Sequence, residues 1–301
     1  MHSQITRLVG RRCLRPVLTA AAVAAMSLPV SAAHSIEKHF PVEGRPLVIL
    51  QNSSGHVEIK SWNKPEVMVV GDYGSNRNVD IETEQAGSRI EIATRILNPA
   101  SKPAERQTDY EITVPEETQL QIRTESGGIV VESVHGDLTF ETIAADVNLQ
   151  DVGGYLVVNT TEGAIVCTRC DGSIKAESVS GNVQLFQPVM NSVTVHTTAG
   201  NILFDGDFLR QGVYILRSDT GNTEVHFGKS SSFDLRANAL HGTVVNKAAI
   251  EPDKHGWKSH LVPHFGSAFA SGRSAVGSVG SGDARVDLSS FSGTITISAR
   301  N

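Results

Sequence analysis

An apolar residue followed seven positions later by glycine recurs along most of this chain. Leu120 to Gly127 is followed by Leu138 to Ala145, Leu156 to Gly163 and Ile174 to Gly181, with successive starts 18 residues apart. The spacing then loosens through Val193 to Gly200, Tyr214 to Gly221, Leu235 to Gly242 and Val286 to Gly293, and an early relative stands at Val48 to Gly55. A fixed period of this size predicts stacked coils, each burying its apolar side only against its neighbours.

Within a coil, two short alternating segments flank the glycine. Leu120/Ile122, Leu138/Phe140 and Leu156/Val158 precede it, and Ile129/Val131, Val147/Leu149 and Ile165/Cys167 follow it. Period-two alternation places one set of side chains inside and the other in solvent. The expected fold is therefore all-β: a narrow β-solenoid of about 18–21 residues per coil, preceded by an N-terminal β region. Gly55, Gly127, Gly163, Gly181, Gly200, Gly221, Gly242 and Gly293 are structural corners, where glycine supplies a positive φ or the absence of a side chain. A second column, Gly136, Gly154 and Gly172, marks the opposite corner. Thr124, Thr142, Thr160, Ser178, Thr197 and Ser218 form an inward hydroxyl column that can satisfy neighbouring hydroxyls and backbone. The outward Thr-x-Thr arrays of an ice-binding surface are absent.

The ends and the composition narrow the setting. Residues 1–33 read as an export signal: Arg7, Arg11, Arg12 and Arg15, then an Ala-rich apolar run from Val17 to Val30, then small residues at Ser31 and Ala32. That run is too short and weak for a membrane span, and no later segment approaches one. Removing the four arginines takes the net charge from −6 to −10, which disfavours nucleic acid and anionic membrane surfaces as partners. Cys167 and Cys170 then remain, and export permits a disulfide between them.

Four regions follow the signal. Residues 34–119 hold alternating segments, with a loop or hairpin tip at 98–107, and 120–246 carry the repeats. Residues 247–283 break the period as a loop excursion, read as a cover for the open end of the solenoid, and 284–301 restore a final coil. No stretch after the signal shows a helical period.

Phe40-x-Val, Leu47 through Asn52, Gly55-x-Val-x-Ile-x-x-Trp62, Tyr110-x-Ile-x-Val-Pro115 and the Ser-Gly-x-Ile-x-Val coils occur in this order. Together they resemble the "putative adhesin" β-strand-repeat family, domain of unknown function 4097. The resemblance covers about Ile36 to Ile297 and implies an exported, adhesin-like β-solenoid. It carries over no catalytic residue.

The chemistry-bearing residues divide as follows. Cys167 takes a core position and Cys170 the position of Val134 and Val152 in preceding coils. The Cys-x-x-Cys therefore sits in a coil wall rather than at a helix start, where a redox pair would gain its thiolate. A structural disulfide and buried free thiols stay as alternatives. His241, His255, His260 and His264 match no strong metal spacing, and a four-cysteine zinc site is excluded. Asp146, Asp151, Asp171 and Glu177 lie near corners of adjacent coils, where wider β-helix enzymes place acid and base. Coils this short leave no loops to build a cleft, so a solvated acidic face is the better reading. Trp62 is expected to be packed, and Trp257, in the excursion, is a weak candidate for ligand contact.

These readings predict no cofactor, no metal and no catalytic set. The expected function is a non-catalytic binding or structural protein of the cell envelope, in the periplasm or at the surface, with an envelope glycan or protein as partner. A polysaccharide-acting enzyme and an end-to-end self-assembling scaffold are the competing classes.

Overall fold

The computed structural model describes residues 35–73, 78–248, 250 and 270–300. The signal-like segment 1–33 and the excursion residues Trp257, His255, His260 and His264 lie outside the described residues. Those described form a β-solenoid with two walls. A single 3-10 turn, Pro103–Glu105, interrupts the strands, inside the segment read as a loop.

Each coil crosses one wall before its glycine and the other after it. In the first wall Leu120 pairs in parallel with Leu138, and the register runs on through Leu156, Ile174, Val193 and Tyr214. In the second wall Ile129, Val147, Ile165, Val183 and Ile202 stack the same way. These side chains are fully buried or nearly so. Like residues therefore sit one above another, and the core is a set of apolar ladders closed between two sheets.

The spacing loosens beyond Val193 for a packing reason. Residues 206–212 bulge from the coil and insert Phe208, which stacks on Phe204 with ring centroids 5.0 Å apart and meets Tyr214 edge-on at 4.7 Å. The Tyr214 hydroxyl donates to the Met190 carbonyl at 2.6 Å and accepts from the Leu209 amide at 2.8 Å. The extra residues thus fill the interior rather than hang in solvent.

Chain order and spatial order part at both ends. The strand Leu47–Trp62 aligns along its length with Gln119–Glu132, Gly55 opposite Gly127, so the solenoid begins at residue 47 rather than at 120. On its other side it pairs with Arg89–Ile96 in one wall and Asp109–Pro115 in the other. At the far end, the coil built from Ala284–Ser290 and Thr294–Ala299 is last in sequence but not in space. It lies between the coil of Val213–Ser218 and Thr223–Phe227 and the coil of Phe233–Ala239 and Thr243–Asn246. The region read as a loop excursion also contains strands. Ala270–Gly272 and Ser274–Val279 pair antiparallel with the outer coil and cover edges that would otherwise stand open. Antiparallel strands flank the N-terminal end too, Ser35–Pro41 on Glu66–Asp72 and Val79–Ala86 on Arg89–Ile96.

The corners come in two kinds. Leu47–Trp62, Gln119–Glu132 and His135–Gln150 run through the corner as unbroken strands, with φ of 128° at Gly55 and 119° at Gly127. In the coils of Gly153–Thr160, Asp171–Ser178 and Val189–Thr197 the strand stops and the inward hydroxyl accepts the glycine amide: Thr160 from Gly163 at 3.0 Å, Ser178 from Gly181 at 2.8 Å, Thr197 from Gly200 at 2.9 Å. Ser218 and Ser290 repeat the contact with Gly221 and Gly293. Positive φ does not explain glycine in these later corners. A Cβ on Gly181 would lie 1.9 Å from the Gly163 carbonyl oxygen, and one on Gly200 would lie 2.0 Å from that of Gly181.

Gly181→Ala should therefore lower stability by roughly 1–3 kcal/mol, and Gly181→Val by more, because the crowding is against backbone. Urea unfolding measures this. Unchanged midpoints would show that the column is not a packing constraint.

Candidate functional site

Of the four carboxylates singled out by sequence, Asp146 stands at the glycine corner, Asp151 and Asp171 at the opposite corner of adjacent coils, and Glu177 on the first wall. Asp146 accepts the Ala164 amide of the next coil at 2.8 Å. The same position carries Asn182, Asn201 and Asn222 in later coils, whose side chains accept the amides of Asn201, Asn222 and Thr294 at 2.8, 2.8 and 3.0 Å. This ladder ties coil to coil along one corner. Asp151, at a different corner, takes a bidentate contact from Arg169 one coil on, both distances 2.7 Å. The guanidinium holds the Asp151 carboxyl below its ordinary range, and Asp151 in turn raises Arg169. Asp171 lies 3.6 Å from His135 across Gly153, and Glu177 pairs with Lys175 at 2.9 Å, which raises the lysine. Asp151 and Arg169 also share φ of 52°, in a left-handed corner column with Ser133 and Gln187.

Cys167 and Cys170 are joined in a disulfide, with Cα atoms 6.0 Å apart and both residues fully buried. Arg169 forms the left-handed corner between them. The bond thus closes a corner inside the wall. Trp62 is half-buried, donates to the Glu66 carbonyl at 2.7 Å and carries Lys64 over its ring at 4.3 Å. His241 packs edge-on to Phe291, and among the described residues no group of three His, Cys, Asp or Glu is placed to hold a metal ion.

A concavity of about 510 Å³ opens on the outer face of the first wall, where the unbroken corners meet the first hydroxyl-capped one. Its outward row is Gln51, Arg123, Glu141 and Asn159, one residue per coil, the third after each coil's starting apolar residue. Arg123 and Glu141 pair at 2.7 Å. Glu125 and Ile143 project from the unbroken corners beside the row, and Ile143 is 56% exposed. The Asn159 Oδ1 is shielded from solvent yet has no hydrogen-bond partner among the described residues.

Beneath the row lies a satisfied polar network. The Asn52 amide donates to the carbonyls of Ser54 and Thr108, at 3.1 and 3.0 Å, and its oxygen accepts from the Thr94 hydroxyl at 3.0 Å. Thr94 also contacts the Tyr110 hydroxyl at 2.6 Å. Burial pushes the Tyr110 phenol up to about 12, with the Thr94 contact opposing. Sequence reasoning missed this concavity, because its row is contributed by four separate coils. The available signal was the polar character of that third outward position in all four.

The fold and this surface define a class: an all-β solenoid with a structurally ordered polar exterior. Residues 47–298 match the Toastrack family, domain of unknown function 4097, and the chain belongs to that family. No functionally curated protein matches it. Among solved structures it is similar to a "putative adhesin" from Bacteroides fragilis, at 10% identity and a TM-score of 0.41, covering 89% of this chain and 99% of that one. A "putative cell adhesion protein" from Clostridium sporogenes has 13% identity and a TM-score of 0.28, covering 88% of this chain and 100% of that one. A "putative adhesin" from Parabacteroides distasonis has 9% identity and a TM-score of 0.32, covering 89% and 98%. The family assignment rests on the family match.

Two predictions follow from the buried disulfide and from a histidine on the second wall. With both cysteines fully buried, alkylation under reducing conditions should label them only after denaturation. Reduction should then cost about 2 kcal/mol on refolding and unfolding in urea, the loop-closure value for so short a loop; an unchanged urea midpoint would contradict it. His39 contacts Glu37 and Glu66 at 2.9 Å each. The hydrogen bond to Glu37, then that to Glu66, raises its pKa above the ordinary 6.5. Its contribution to stability is therefore fully present below the unfolded value and is lost as pH rises through the raised one. An NMR titration should show the His39 midpoint above 6.5 and falling in Glu37→Gln.

Proposed function

We propose that this chain is an exported, non-catalytic binding or structural protein of the cell envelope, adhesin-like in its mode of action. The observation that carries the reading is that its candidate carboxylates are engaged in holding the array. Asp146 stands at the glycine corner, Asp151 and Asp171 at the opposite corner of adjacent coils and Glu177 on the first wall, and three of the four are in close hydrogen bonds or ion pairs. Acid and base catalysis needs such groups to converge on one reacting bond. Export is supported by the basic, apolar and small-residue pattern of residues 1–33. Among the described residues no helix is long and apolar enough to cross a membrane.

Self-assembly by end-to-end stacking is disfavoured by the antiparallel strands at both ends. Such strands break the parallel register that a second solenoid would have to continue. The envelope partner is a glycan or a protein.

Co-sedimentation of the purified chain with isolated envelope material, before and after glycan digestion, tests the reading. Binding is expected, and its loss after digestion would identify a glycan partner. Absence of binding, or release of sugar ends that is abolished by one carboxylate substitution, would overturn it.

A further inference from the structure

We infer that the concavity on the first wall binds an uncharged linear glycan laid along the solenoid axis, across four coils. The site rests on the binding role proposed above and gives that role a place and a ligand class.

The geometry of the row carries the shape of the ligand. Gln51, Arg123, Glu141 and Asn159 stand on adjacent hydrogen-bonded strands. Neighbouring strands lie about 4.8 Å apart, so the row spans roughly 14 Å in even steps. A polymer crossing the strands at right angles meets one polar side chain per step. A compact small molecule would use only one or two of them. The concavity exists because the unbroken corners carry Ile143 outward beside the row, whereas the next coil turns sharply at Thr160.

The chemistry of the row carries the ligand class. Gln51 and Asn159 each offer both a donor and an acceptor, as vicinal hydroxyls require. Arg123 is already held by Glu141 at 2.7 Å, and Glu125 follows two residues later on the same face of that strand. Arg123 offsets Glu141 and leaves Glu125 as a single net negative charge, so a polyanion is disfavoured and a polycation finds one carboxylate rather than a charged track. The Asn159 Oδ1 is shielded and has no donor. An acceptor left in that state costs free energy, which a ligand hydroxyl recovers once the Asn159 amide turns outward to meet it. Exposed Ile143 supplies apolar contact for the CH face of a sugar ring.

The test uses calorimetric titration of the full chain with neutral linear tetra- to hexasaccharides: cello-, malto-, xylo- and chito-oligosaccharides. Sulfated heparin oligosaccharides and oligolysine serve as charged comparators. At least one neutral series should bind, and Asn159→Val should weaken it by about tenfold or more. Thr161→Val, at the end of the same concavity, should weaken it too and stands in if Asn159→Val does not fold. Thr194→Val, outward on the same wall but outside the concavity, should leave affinity unchanged. The inference is overturned if no neutral series binds, if only a charged comparator binds, or if the concavity variants bind as the parent does. Envelope co-sedimentation that persists while every neutral series is silent would overturn this site alone and leave the broader role standing.

Discussion

The distance between coils governs this molecule. Parallel strands fix it at about 4.8 Å, and at the corner the carbonyl oxygen of one coil occupies the place where the next coil's Cβ would project. Gly163, Gly181, Gly200, Gly221, Gly293 and Gly242 all meet that oxygen at about 1.9–2.0 Å from an ideal Cβ. The hydroxyl column follows from the same constraint. A sharp corner turns the glycine amide inward, and at Gly163, Gly181 and Gly200 the side chain three residues earlier accepts it. Glycine and hydroxyl are thus one device, repeated at each hydroxyl-capped corner.

This device explains how much of the fold was legible. Leu120, Leu138, Leu156 and Ile174 read as one ladder because local stacking and sequence spacing coincide there. The period hid what lay beyond it. Gly55 stacks on Gly127, and Asn222 contacts Thr294, across 72 residues in each case. Nothing in an 18-residue spacing announces such partners, so Leu47–Trp62 reads as part of a preceding region and the final coil as a terminus. The concavity was hidden for a related reason. Gln51, Arg123, Glu141 and Asn159 carry no motif in sequence and become neighbours only through strand register. The positions of Cys167 and Cys170 were readable as core, whereas the bond between them depends on the corner at Arg169.

The exterior shows how a repetitive fold can acquire a distinct place on its surface. Along the corner of Asp146, Asn182, Asn201 and Asn222, outward polar groups are consumed in holding successive coils together. The first wall differs where one kind of corner gives way to the other. There the regular surface is interrupted, and Asn159 is left with an unsatisfied oxygen.

The intercalated last coil has a consequence for the order in which the molecule can be completed. The coil ending at Asn246 has its parallel neighbour in residues 284–299, which leave the ribosome after it. The growing chain therefore cannot zip up coil by coil from one end, as a simple solenoid can. Completing the array requires the strand pair of residues 284–299 to lie between two coils that precede it in sequence. Tension on the C-terminus would likewise draw out an interior layer rather than peel an outer one, shearing two parallel interfaces in each wall at once. A fold built from nearest-neighbour contacts is in this way fastened by its own tail.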